Sequence, residues 1–233
     1  MSLTPQQRQK SLEKKATKRK QKAAIAKRQS SVVLAQSRSQ FEAAASWPLL
    51  EALITRGWDE PGVIVEAIVA REASNGRVAV ASFLIDLGCL GIKDAIWKIF
   101  PTVSEYERTL RLTMVNISDL IKTDINLVSK VIREANAYAA TLGFHPHADY
   151  FIAAHLLIGA DPDVSPVSIP VGGPDGRPFY VEGPYDNVES IIARLTEHVG
   201  PDGFDYVFPA VGLDLEDLDL DIEALALDGE PAD

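Results

Sequence analysis

The sequence predicts an α+β protein: a basic N-terminal helical arm, a body of antiparallel hairpins packed with helices, and an acidic C-terminal tail. Three observations predict it. Two runs rich in β-formers, Val63 to Glu72 and Arg77 to Asp86, flank the turn pair Asn75-Gly76, a strong hairpin signal. Leu127, Val128, Val131, Ile132, Ala135, Tyr138 and Leu142 recur at helical spacing between a cap at Asp124 and a stop at Gly143. The charge is sorted by position. Residues 1–40 hold 11 Lys and Arg against Glu13, a net +10, and residues 41–233 hold 12 basic and 32 acidic residues, a net −20.

The division drawn from this is an arm over 1–40, a body over 41–211 and a tail over 212–233, with 41–160 and 161–211 as the finer subdivision of the body. In the arm, Thr4 caps, Pro5 occupies the first helical turn and Gln7 closes a capping box. Good helix formers follow, so a helix is expected from about Pro5 to Arg28, extending toward Gln40. Its apolar stripe of Leu12, Ala16 and Ala23 is too narrow to bury firmly, so it is expected to project or to order on a partner.

In the body, Trp47, Leu50, Ile54 and Trp58 stand at helical spacing, with Pro48 in the first turn and Gly57 at the end, which predicts a helix there. The first hairpin follows, then a third strand over Ile92 to Phe100 and a run of helices. His147 to Ile158 reads as a helix ended by Gly159. The stretch "VSIPVGGPDGRPFYVEG" reads as a second hairpin around Pro174-Asp175-Gly176. Asn187 to His198 is a short helix, and Phe204 to Val211 a last strand.

Composition narrows the class. With 46% hydrophobic residues a packed core is feasible, and no apolar run reaches the roughly 20 residues a bilayer span needs. The single cysteine, Cys89, excludes an internal disulfide framework and a cysteine-based zinc site. No secretory leader, membrane contact or cofactor is expected, and a cytoplasmic location is.

The arm carries the leading functional reading. Arg8, Lys14, Lys15, Lys18, Arg19, Lys20, Lys22, Lys27 and Arg28 form a basic segment, and Arg8, Lys15, Lys18, Arg19 and Lys22 share one helix face. Such a face can follow a phosphate backbone. Residues 1–40 contain no aromatic side chain, so base stacking and sequence readout are not expected. This implies non-enzymatic docking onto RNA or a ribonucleoprotein, with body and tail contacting protein. A structural subunit of a protein complex is an alternative. In the tail, Leu213, Leu215, Leu218, Leu220 and Ile222 interleave with acids, a pattern of interaction segments.

The other alternative is a metal-dependent hydrolase or nuclease. "GFHPHADYFIAAH" holds His145, His147 and His155 with Asp149 between them, and His145, His147 and Asp149 can offer nitrogen and oxygen ligands. "FLIDLGCLGIKD" ends an apolar strand on Asp86. An acid there, after a hairpin, resembles the start of an RNase H-like fold, and the resemblance would require further acids on later elements. Asp94, Asp119 and Asp124 have no assigned place in that scheme. The plainer reading makes Asp86 and Gly88 a turn, Cys89 a small buried side chain, and the histidine run a junction into a helix. No catalytic or metal-binding residue is therefore assigned. Of Phe179, Tyr180 and Tyr185, two are expected in the core.

Overall fold

The computed structural model describes residues 35–207. All ten basic residues from Arg8 to Arg28 and the acidic tail from Gly212 lie outside the described residues.

The body is α+β. Strands β1 (Leu49–Thr55), β2 (Ile64–Glu72), β3 (Val78–Asp86) and β4 (Gly91–Phe100) form an antiparallel meander. A helical run follows: α1 (Val103–Tyr106), one π-helical turn (Glu107–Arg111) and α2 (Leu112–Ser118). It returns the chain to β5 (Leu120–Lys122), which pairs antiparallel with β1, giving the order β4-β3-β2-β1-β5. Next come α3 (Ile125–Thr141) and α4 (Tyr150–Ala153), the latter running into a 3-10 turn (Ala154–Leu157). The C-terminal part holds β6 (Phe179–Val181), α5 (Val188–Val199) and β7 (Asp205–Val207), with β6 and β7 parallel.

Strand alternation sends successive side chains to opposite faces of the sheet. One face is apolar over its centre. Ile54, Val65, Ala67, Val69, Ala79, Ala81, Phe83 and Ile85 bury against Val128, Val131, Ile132 and Ala135 of α3. The alanines keep the sheet flat enough for that helix to lie close. The opposite face is covered over one half only. There Leu53, Ile68, Ala70, Val80 and Phe100 pack beneath Tyr106, Met114 and Val115 of the α1–α2 run. The other half carries Ile64, Glu66, Ser82, Leu84, Asp94 and Ile96, and Ile96 remains 53% exposed. A third cluster joins Cys89 and Leu90 to Leu142, Tyr180, Leu195 and Phe204, so the C-terminal elements pack against the end of α3.

The hairpin at Asn75-Gly76 forms with the expected strands. Its turn is longer than a two-residue loop, and only Gly76 takes a positive φ (80°). The helix starting at Asp124 forms as read. The Asp124 Oδ1 accepts from the Asn126 N–H at 2.9 Å, and Gly143 turns the chain at φ 76°. The α5 helix is capped by Asn187, whose Oδ1 accepts from the Ser190 N–H.

Three expectations change. The helix read across Trp47 to Trp58 is strand β1. It lies between β2 and β5 with Ala52, Leu53 and Ile54 buried on both faces, so the alternation that marks a strand is absent. The helix read from His147 begins only at Tyr150, because residues 144–149 run along the edge of β4, where the His147 N–H donates to the Ile92 carbonyl. The second hairpin does not form. Residues 173–177 make a tight turn, but the flanks go elsewhere: the Gly172 N–H donates to Leu87 O, the Phe179 N–H to Gly88 O, and β6 pairs with β7. Pro170, Pro174 and Pro178 remove donors that a hairpin ladder would need.

Candidate functional site

The open half of the sheet forms the floor of a cleft of about 700 Å³. Ile64 and Leu84 supply its apolar base, Asp94 and His147 stand on the β4 side, and the loop after β6, from Glu182 to Asp186, makes the facing wall. Tyr185 projects from that wall with 89% of its surface exposed.

Lys93 is placed there by a bulge. Leu84 pairs with Asp94 and Ile85 with Ile92, so Lys93 is the extra residue of β4 and its side chain is re-aimed. Its ammonium meets Asp186 Oδ2 at 2.7 Å, with both side chains 12% exposed. Asp186 Oδ2 also accepts from the Gly183 N–H at 2.8 Å and the Tyr180 hydroxyl at 3.1 Å. Burial opposes ionisation of Asp186, yet these bonds hold its pKa below the usual aspartate value. The wall is thus pinned to the sheet by an ionised, hydrogen-bonded carboxylate.

Glu66 lies opposite Leu84, next in the row to Asp94. Burial raises its pKa to about 7; the Ser82 hydroxyl, which donates to Oε1, pulls the other way, and the nearby charge of Asp94 adds to the rise. His147 Nδ1 accepts from the Asp149 N–H at 3.3 Å, which leaves the proton of the neutral ring on Nε2. Nδ1 also lies 3.6 Å from Asp94 Oδ1 and 3.8 Å from Asp149 Oδ2, contacts that become ion pairs on protonation. Asp149 Oδ1 in turn accepts from the Trp97 indole N–H at 3.3 Å.

The sequence-derived residues divide. His147 lines the cleft; Asp149 stands behind it. His155 Nδ1 lies 3.1 Å from the Ile152 carbonyl within its own helical turn. Asp86 does not line the cleft. It is 2% exposed, its Oδ1 accepts from the Cys89 N–H at 2.9 Å, and its Oδ2 has no hydrogen-bond partner. Burial raises its pKa to about 6, against the pull of the Cys89 amide and Lys93. Cys89 is fully buried, and burial raises its thiol well above the usual range. A Cβ at Gly88 would stand 2.1 Å from the Phe179 carbonyl oxygen, so only glycine lets β6 approach this turn. Asp119 pairs with Arg56 at 2.9 Å and Asp124 caps α3. Among the described residues no group of three or more His, Cys, Asp or Glu side chains is arranged to hold a metal ion. Of the three aromatics expected to place two in the core, only Tyr180 is buried there; Phe179 is half-buried and Tyr185 exposed.

Sequence reasoning missed Lys93, Glu182 and Asp186 as parts of one cleft, and Glu66 beside it. A carboxylate interrupting the apolar run "IVEAIVA" was the available signal for Glu66. Among the described residues no helix is long and apolar enough to cross a membrane. Comparison of the chain with protein-family models, with curated proteins and with solved structures finds no match.

Proposed function

We propose that this protein docks onto RNA or a ribonucleoprotein through its basic N-terminal segment, with the body and tail contacting protein. The observation that carries the reading is the separation of charge: a net +10 over residues 1–40 against −20 over the rest. An acidic body repels polyanions, so any phosphate contact falls to the arm. The cleft adds a place for a protein or peptide contact, with an exposed tyrosine on its rim. The hydrolase alternative draws less support, because Asp86 is taken up by the Cys89 amide outside the cleft that His147 lines.

The test is the salt dependence of RNA binding. Five phosphate contacts from Arg8, Lys15, Lys18, Arg19 and Lys22 give a slope of log affinity on log salt of about −4. Changing Lys15, Lys18, Arg19 and Lys22 to Gln keeps helix propensity and reduces the steepness by about 3, alike for all sequences. Salt-insensitive binding, or binding unaffected by the four substitutions, overturns the reading.

A further inference from the structure

The described chain ends on two sides of the sheet: the N-terminal end packs in the layer under α3, and the C-terminal end lies against the wall of the cleft. At the N-terminal end, residues 35–43 are helical and Phe41 packs on Trp97, ring centroids 5.4 Å apart. Trp97 bonds Asp149, which contacts His147 on the cleft's β4 side. At the C-terminal end, the carbonyl of Val207 accepts from the N–H of Glu182 on the opposite wall. The cleft presents Asp94 and Glu182 as carboxylates with no lysine or arginine against them among the described residues, an apolar floor and the face of Tyr185. The one lysine in the cleft, Lys93, is already occupied by Asp186. This chemistry suits a cationic side chain with an aliphatic stem, held by carboxylates and an aromatic ring.

We infer that the cleft is the resting seat of the chain's own basic segment, residues 8–28, which leaves it when RNA competes for the same lysines. The inference rests on the docking reading above and adds its regulation. Charge complementarity selects the occupant: the cleft is acidic, and residues 1–34 carry ten Lys and Arg against one Glu. The acidic tail, which leaves from the other wall, is repelled by the same carboxylates. Tethering makes weak contacts sufficient, since a short linker gives an effective concentration of roughly millimolar. A segment seated about four-fifths of the time lowers apparent RNA affinity about fivefold.

Two measurements on the full chain test this. The first is carbodiimide coupling, which joins a lysine to a carboxylate it touches, read by mass spectrometry of the monomer. The expected result is coupling of lysines between Lys14 and Lys27 to Asp94 or Glu182, unchanged by dilution. Coupling chiefly to residues 214–233, coupling that disappears on dilution because a second copy supplies the segment, or no coupling overturns the inference whether or not RNA binds. If the coupling forms and RNA fails to suppress it, the seat stands and the docking reading falls. The second measurement compares RNA affinity of the pair Asp94→Asn and Glu182→Gln with the charge-matched pair Glu105→Gln and Glu197→Gln on α1 and α5. The cleft pair should tighten binding about fivefold over the control pair. Equal effects of the two pairs would reduce the cleft to general electrostatics and overturn the inference.

Discussion

The two faces of the sheet are built from the same strands and follow different rules. Under α3 the strand side chains are apolar, and Arg71, at the end of β2 on the same face, is taken up by the carbonyls of Trp47, Leu156 and Ile158. On the opposite face the α1–α2 run covers one half, and the other holds a glutamate with a raised pKa, a serine bonded to it, and an aspartate at the margin of a cleft. Neighbouring residues on one strand therefore serve different ends. Ile85 is fully buried in the dry layer, while Leu84, next to it, is a half-buried part of the cleft floor. One face is packed throughout, and half of the other is left open as a cleft.

Matched truncations put that contrast to the test. Ile85→Ala should cost about 2–5 kcal/mol, the range for an aliphatic residue in a close-packed core, and Leu84→Ala about 1 kcal/mol or less. Equal losses by denaturant titration would mean that the cleft floor is as much core as the layer under α3. A smaller effect is expected in the covered half of the second face. There Glu51, 9% exposed, accepts from the Tyr106 hydroxyl at 2.9 Å and the Arg111 Nε at 2.6 Å. Glu51→Ala leaves both donors without their acceptor and should cost about 2 kcal/mol. An unchanged unfolding midpoint would show that the α1–α2 run is held by its apolar contacts alone.

Another effect depends on pH. The pKa of Glu66 is raised to about 7 in the fold, so the folded state binds its proton more tightly than the unfolded chain does. The sign follows: its contribution is fully present below the unfolded value near 4.5 and is lost as pH rises through about 7. Glu66→Gln keeps an acceptor for Ser82 and removes the titration. The variant should match the parent near pH 5 and gain on it as the pH rises to 8, by up to about 3 kcal/mol. Parallel stability curves for the two proteins would show that Glu66 is as well solvated as an ordinary surface acid.

What was legible in the sequence follows the range of the interactions involved. The Asn75-Gly76 hairpin, the Asp124 cap and the Gly143 stop are local, and each formed where it was read. The plain reading of Asp86 and Cys89 also depended on neighbours three residues apart. Strand β1 was misread because a central strand buried on both faces carries a short apolar run with no period of two. The cleft was illegible because its walls come from β2, β3, β4, the 144–149 loop and the loop after β6. Lys93 in particular reaches Asp186 only through a bulge in the β3–β4 register, for which no local signal exists.

The parallel ribbon of β6 and β7 has a consequence in time. Strands β1 to β4 each pair with the strand next in sequence, so that part of the sheet closes through short loops. Phe179 must await Asp205, across the whole of α5, before its ribbon forms. Short closures cost less entropy and form earlier than long ones. A chain made from its N-terminus onward can therefore complete the β1–β4 meander before residues 181–186 exist to wall the cleft. The cleft is then the last part of the body to mature. In refolding followed by pulsed hydrogen exchange, amides of β2 and β3 should be protected before those of Phe179 and Glu182, and the reverse order would show that the C-terminal ribbon nucleates on its own.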